Sequence, residues 1–387
     1  MLRILVPLHS FEPGGVERVA LRLARAWRSA GVRLHLVLGR DERPRPDLAQ
    51  GLDFDVLQQG MITTAAFETL WMLAKLPGRI RHSRPDLIFC PGNSYAVIGA
   101  LLKLLLGRSC PPIVLKVSND LRRPDLGPFA RFWYRIWCRL QGRLIDRFVA
   151  LSSAMRDEIK DMMKVSGDRV SVIANPALSR AEAAALAAPR GARTSNGKRY
   201  LAIGRLVPQK NFLLLIRAFS KIAAPEDRLA ILGEGPERVA LENLVAELGL
   251  RERVLLPGHI EATGEWLATS DIFVLSSDYE GLPAVVIEAM AAGVPVVATD
   301  CSTSMPELVD DGRLGRLIPP RDLERLAEAM QTPVHACANE ARAMVDRFTV
   351  ERAAPNYVAL FEILVAQTGL SWGGGGFTAS QPGNMRG

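Results

Sequence analysis

Two carboxylates eight residues apart, Glu280 and Glu288, stand in the stretch YEGLPAVVIEAMAAGVPVVATD, Tyr279 to Asp300, which is otherwise almost wholly apolar. DIFVLSS before it reads as a strand, DYEGLP as a loop, and AVVIEAMAA as a helix ended by Gly293. Pro283 suits the first turn of that helix. Glu280 then lies in the loop and Glu288 inside the helix, where an apolar element seldom buries a glutamate without a strong partner. The free N–H groups in the span from Leu282 to Val285, where Pro283 has none to offer, suit a phosphate. A carboxylate beside phosphate is repulsive unless it accepts hydrogen bonds, and sugar or ribose hydroxyls supply them. The plainer alternative makes Glu280 an exposed loop acid and Glu288 a paired core acid.

Two cations stand at another strand end. In IGRLVPQKN, Ile203 to Asn211, Gly204 and Arg205 follow a strand and Lys210 precedes a helix. Arg as a fork and Lys as a mobile point charge suit a diphosphate; otherwise they are solvated surface charges. Gly14 and Gly15 in HSFEPGGVERVA, and Gly233 in ILGEGPE, also sit where a strand turns into a helix. Such turns let backbone N–H groups approach phosphate or sugar, or they use glycine only for its conformational freedom. The first is not G-x-G-x-x-G, so the dinucleotide fingerprint is absent. His259 has no partner visible in sequence and reads as structural.

These turns require sheets behind them. LRILVPL, RLHLVLG, PDLIFC, PPIVLKVS, DRFVALS and DRVSVIAN read as strands with helical stretches between. The rhythm restarts with RYLAIGR, RLAILGEG, RVLLPGHI, DIFVLSS, VPVVATD and LGRLIPP. Alternating strands and helices imply parallel sheets covered on both faces. A chain of 387 residues exceeds one ordinary core. The expected organisation is a Rossmann-like first domain over residues 1–178, a linker over 179–198 and a second Rossmann-like domain over 199–345. A C-terminal helix over 346–368 packs back on the first domain, and a disordered tail covers 371–387. Doubly wound sheets bind ligands beyond the carboxyl ends of their strands, which makes the interdomain cleft the default site.

The first 178 residues carry 27 Lys and Arg against 16 Asp and Glu, a net +11, and the remainder is net −4. A basic half suits an anionic partner: phosphate, a lipid surface or nucleic acid. No nucleic-acid recognition motif accompanies the charge. In RFWYRIWCRLQGRLIDR, Arg131, Arg135, Arg139, Arg143 and Arg147 recur every four residues, with Trp133, Tyr134 and Trp137 among them. That pattern suits an anionic membrane or a lipid-diphosphate acceptor, or else an ordinary helix with solvated arginines. The apolar run Ala96 to Gly107 is broken by Lys103 and falls short of the roughly 20 residues that span a bilayer. The N-terminal apolar run is too short for a signal peptide. Five scattered cysteines argue against a disulfide framework or zinc site and fit a reducing, cytoplasmic setting. Asp53-Phe54-Asp55 is a D-x-D of the kind that holds a divalent metal, but it lies far in sequence from the other motifs and reads as chance. Asp310-Asp311 reads as a turn.

Together GGVE, GRLVPQKN, GEGP and the E-x7-E of Glu280 and Glu288 resemble the GT4-type retaining glycosyltransferases of the GT-B fold, in order and spacing over roughly residues 2–364. The resemblance implies two facing Rossmann-like domains with an interdomain cleft, and a nucleotide-sugar donor held mainly by the second. It implies a metal-independent transfer of a hexose or N-acetylhexosamine with retention, UDP being the favoured nucleotide, and no cofactor. By the same resemblance Arg205 and Lys210 hold the diphosphate, Glu288 the ribose and Glu280 the donor sugar. Backbone groups of Gly281, Leu282, Pro283 and Ala284 face phosphate or sugar, and Gly14 and Gly15 close over the donor. The acceptor would be a glycan or lipid-linked glycan, met in the cytoplasm at the inner membrane face. One departure stands out. Many such enzymes carry a histidine after the fourth strand of the first domain, where this chain has KVSNDL; Lys116, Asn119 and Asp120 are the replacements available, with Asn119 and Asp120 alternatively capping the next element. Two rival functions are a sugar-nucleotide epimerase on the same fold and a catalytically inactive sugar-binding subunit.

Overall fold

The computed structural model describes residues 1–10, 15–40, 47–57, 68–123, 126–187 and 197–368. Gly14 and the tail beyond 368 lie outside the described residues. β1 (Arg3–Leu8), β2 (Arg33–Leu38), β3 (Phe54–Val56), β4 (Leu87–Cys90), β5 (Ile113–Lys116), β6 (Arg147–Ala150) and β7 (Val170–Val172) form one sheet in the order β3-β2-β1-β4-β5-β6-β7. β8 (Arg199–Ile203), β9 (Arg228–Leu232), β10 (Val254–Gly258), β11 (Ile272–Leu275), β12 (Val296–Thr299) and β13 (Arg316–Ile318) form a second, ordered β10-β9-β8-β11-β12-β13. Every pairing is parallel, as the unbroken apolar runs require, since helices cover both faces. In the centre, Ile88 pairs with Ile113 and Leu115 with Phe148; in the second sheet Phe273 lies between Leu201 and Val296.

The strand order reverses between β1 and β4 in the first sheet and between β8 and β11 in the second. At such a reversal the flanking helices diverge to opposite faces and leave a crevice beyond the strand ends. β3 was not expected from the sequence. It carries Asp55, whose carboxylate meets the Arg79 guanidinium at 2.9 Å and His35 Nε2 at 3.6 Å. That aspartate is thus engaged in an edge-strand ion pair, and no group of three potential metal ligands occurs among the described residues.

The chain passes between the domains twice, side by side. Ala177 N donates to Phe348 O at 2.9 Å and Val350 N to Leu178 O at 2.9 Å. Arg22, buried on the helix Gly15–Ser29, locks this crossing: it donates to the carbonyls of Pro176 and Ala177 and meets Glu182 at 2.7 Å. The expected linker contains a helix, Arg180–Leu186, started by a capping box of Ser179 and Glu182. Its Ala183 and Leu186 pack on the second domain's core. After the second crossing, the helix Val350–Thr368 returns to the first domain. There Tyr357 and Phe361 meet Trp27 edge-on at 5.6 and 5.2 Å.

Candidate active site

Three loops build the floor of the second domain's crevice. The turn after β8 carries Gly204 and Arg205, the turn after β9 carries Gly233, and the loop after β11 runs from Ser276 to Pro283. The first two lie flat on each other: Gly204 N donates to Leu232 O at 2.9 Å and Leu206 N to Glu234 O at 2.8 Å. A Cβ on Gly233, whose φ is +151°, would stand 1.8 Å from Gly204 O, so both conformation and clearance demand glycine there.

On this floor Lys210 Nζ and Glu280 Oε1 pair at 2.5 Å, and Ser277 Oγ donates to the same oxygen at 2.7 Å. The pair is largely shielded, with side chains 17% and 11% exposed. Its position is over-determined. Glu280 N donates to Cys301 O, Asp278 N to Gln209 O, and Gln209 Nε2 to Tyr279 O, so the Lys210 turn and the Glu280 loop are stitched together along their length. Asn211, at φ 48°, caps the next helix with its side-chain oxygen and also donates to Asp278 at 2.9 Å. The sequence assigned Lys210 and Glu280 to different parts of one ligand; the structure brings them together as one group. Arg205 is exposed beside them and makes no ion pair among the described residues.

The helix Ala284–Ala291 begins at Pro283 with no side-chain cap, which leaves its positive end facing the crevice. Leu282 and Ala284 are half-buried at that start. Glu288 is buried one turn on, and its partner comes from the other domain: Arg18, on the helix Gly15–Ser29, reaches it at 3.8 Å. Burial raises the Glu288 pKa, while Arg18 and Arg22 oppose the rise. Gly15 opens that first-domain helix with free space where a Cβ would lie.

Opposite stands the loop after β5. Asn119 forms an antiparallel bridge with Gly281, and a Cβ on Gly281 would meet Ser118 O at 1.8 Å. Asp120 accepts from Thr303 N at 2.8 Å and from Thr303 Oγ1 at 3.0 Å, which makes it a clamp between domains; it does not cap the element after it. Burial pushes its carboxyl up to about 6. Lys116 is buried at the end of β5, and burial pulls its ammonium down to about 7 against the attraction of Glu17. Glu17 is held in turn by Tyr95 Oη at 3.0 Å. Of the three residues available in place of the usual histidine, Asp120 is committed to the second domain and Asn119 contributes backbone. Sequence reasoning missed Arg18 and Thr303, whose roles exist only once the domains meet. It also missed Ser277, although the three-residue step from Ser277 to Glu280 in SSDYE was a legible hydroxyl–carboxylate pair.

Comparison with known proteins agrees with this architecture. Residues 13–177 match the family model described as Glycosyltransferase Family 4, and residues 197–335 that described as Glycosyl transferases group 1. The chain belongs to the GT4-type glycosyltransferases. It is 33% identical over 236 residues to an exopolysaccharide phosphotransferase of Streptomyces coelicolor, covering 58% of this chain and 24% of that protein. It is 38% identical over 118 residues to a Campylobacter jejuni N-acetylgalactosaminyltransferase named for a diphospho-undecaprenol-linked acceptor, covering 30% of this chain and 32% of that one. The chain therefore spans about a quarter to a third of these curated relatives. Among solved structures, the Anabaena protein HepE in complex with UDP-glucose superposes with a TM-score of 0.74 at 22% identity, over 94% of this chain and all of that one. Such a likeness speaks to the GT-B fold alone.

Proposed function

We propose that this GT4-type chain is a retaining glycosyltransferase that moves a hexose or N-acetylhexosamine from a UDP-sugar to a glycan or lipid-linked glycan. The observation that carries the reading is the Lys210–Glu280–Ser277 group at the reversal between β8 and β11, beside the uncapped start of the helix Ala284–Ala291. A cation and a helix N-terminus there suit a diphosphate, and a fixed carboxylate suits the hydroxyls of the sugar beside it. UDP is favoured because HepE takes UDP and UDP-glucose on the same fold. A lipid-linked acceptor is favoured by the Campylobacter relative and by the basic first domain.

In this mechanism the bond from the sugar's anomeric carbon to the phosphate oxygen breaks as the acceptor oxygen attacks from the same face. The acceptor proton passes to the departing phosphate oxygen, and UDP leaves. Arg205 and Lys210 stabilise the charge that grows on the diphosphate, together with N–H groups of Gly281, Leu282 and Ala284. Glu280 orients the donor sugar and Glu288 the ribose. Gly15, with open space where a Cβ would lie, lets backbone approach the donor, and no metal ion enters any step. Glu280→Gln should leave a folded protein whose transfer rate drops roughly a hundredfold or more. Transfer near the wild-type rate would refute the assignment. A thermal-shift panel of UDP-, GDP- and ADP-sugars reads the nucleotide, since ligand at 100 times its Kd adds about 2.7 kcal/mol. Conversion of UDP-N-acetylglucosamine without any acceptor would point to an epimerase instead.

A further inference from the structure

The helix Pro128–Leu144 has two apolar faces. Cys138, Gln141 and Gly142 are buried against the first domain, where a Cβ on Gly142 would stand 2.1 Å from Met163 O. Tyr134 and Trp137, grouped with the exposed aromatics on sequence alone, are half-buried on that core. The opposite face carries Phe129, Phe132, Trp133, Ile136 and Leu140, all exposed: Phe129 is 78% accessible, Phe132 58% and Trp133 55%. At about 100° per residue these five fall within about 60° of one line along the helix. Phe129 and Phe132 each sit edge-on to Trp133, at 6.3 and 5.7 Å, so the three rings form one cluster. The neighbouring helix Ala96–Leu106 adds exposed Leu104 and Leu105.

A soluble surface does not ordinarily expose five large apolar side chains in one stripe. The charges beside the stripe decide what covers it. Arg135, Arg139 and Arg143 are exposed and run along one side of it. A second copy docking antiparallel through the same face would set these arginines against their equivalents, and one docking parallel would leave both rows without an anionic partner, so a symmetric dimer is disfavoured. An anionic lipid surface satisfies both features at once: rings and leucines enter the interfacial layer while guanidinium groups meet headgroup phosphates. No helix among the described residues is long and apolar enough to cross a membrane, so the contact is peripheral.

We infer that the Phe129–Phe132–Trp133–Ile136–Leu140 stripe and its arginines dock this protein on an anionic bilayer. Phe129 is nine residues from Asp120, the clamp at the cleft, a reach of at most about 30 Å. Docking therefore holds the acceptor side of the cleft close to the headgroups. The inference deepens the lipid-linked reading of the acceptor, and it is tested apart from transfer.

The full chain is sedimented with vesicles of phosphatidylcholine alone and with 30% phosphatidylglycerol, at low and high salt. The expected result is binding to the anionic vesicles that weakens with salt. Phe132→Ser with Trp133→Ser should reduce it at least tenfold, and Arg135→Gln with Arg139→Gln roughly twentyfold at low salt. All four side chains are exposed, so both variants should melt like the wild type and keep the UDP-induced thermal shift. Failure of the wild type to sediment with anionic vesicles overturns the inference. So does a dimer in light scattering that Phe132→Ser with Trp133→Ser disperses. A chain that shows the UDP shift but no vesicle binding overturns docking and leaves the transferase reading standing; vesicle binding without any nucleotide shift does the reverse.

Discussion

A methyl group at Gly281 would come within 1.8 Å of Ser118 O, across the boundary between the domains. Backbone φ is not the constraint there; clearance is. Gly281→Ala therefore pushes the loop after β11 away from the loop after β5 while sparing both cores. The expected outcome is a melting temperature close to wild type with transfer reduced tenfold or more, read by steady-state kinetics beside a thermal melt. Retained activity would show that the Asn119–Gly281 contact is incidental. Lys116 gives a second expectation at this scale, with a sign. Burial holds its ammonium at about 7, below the ordinary 10.5. Between those values the unfolded chain keeps a proton that the native chain has lost, so this residue makes stability rise with pH across that window. Below about pH 7 both states hold the proton and the native state bears the full cost of burying the charge. Lys116→Met should therefore stabilise the protein most at pH 6 and least near pH 10. Melts at the two pH values measure the difference, and an equal shift at both would mean that Lys116 is not a buried charge.

Elements divide into those the sequence displayed and those it could not. Twelve strands followed from apolar runs between turn residues, because a parallel strand covered on both faces has no polar side to disguise it. β3 escaped because its stretch alternates Asp53, Phe54, Asp55 and Val56 and offers no unbroken apolar run. The fixed spacing of Glu280 and Glu288 was legible for the same reason: loop and helix are local. Their partners were not. Arg18 stands 270 residues before Glu288 and Thr303 stands 183 after Asp120, and no local pattern relates them. The helix Pro128–Leu144 shows the limit from another side, since its aromatics were visible but burial alone separates Trp133 from Trp137. The loop after β5 joins the domains through its backbone at Asn119 and its carboxylate at Asp120. Asp120→Ala removes two hydrogen bonds to Thr303, one to a backbone N–H and one to a hydroxyl. With a charged acceptor each contributes about 1.5–3 kcal/mol at most, and partial exposure reduces this. Small-angle scattering should report a larger radius of gyration at pH 7.5 for the variant, with transfer impaired. An unchanged radius would place the hold between domains elsewhere.

At the scale of the whole molecule the first domain is assembled from both ends of the chain. Tyr357 and Phe361, fully buried on the helix Val350–Thr368, complete an aromatic cluster with Trp27 and Phe89. Trp27 Nε1 also donates to Ala354 O at 3.3 Å. The helix contributes nothing comparable to the second domain, so its loss falls on the first core alone. Phe361→Ala empties a fully enclosed ring site, which costs about 3–5 kcal/mol. Tyr357 offers the opposite test. Its hydroxyl is buried and finds no hydrogen-bond partner among the described residues, and burial drives its pKa up. An unpaired buried hydroxyl costs about 1–3 kcal/mol, so Tyr357→Phe should stabilise where Phe361→Ala destabilises. Urea unfolding should resolve where each effect lies when followed in two single-tryptophan variants, one keeping Trp27 in the first domain and the other Trp266 in the second. The first transition should move to lower urea for Phe361→Ala and to higher urea for Tyr357→Phe, with the second unmoved by either. If both transitions shift together, the domains unfold as one cooperative unit, and the helix stabilises the whole molecule by holding the two crossings side by side.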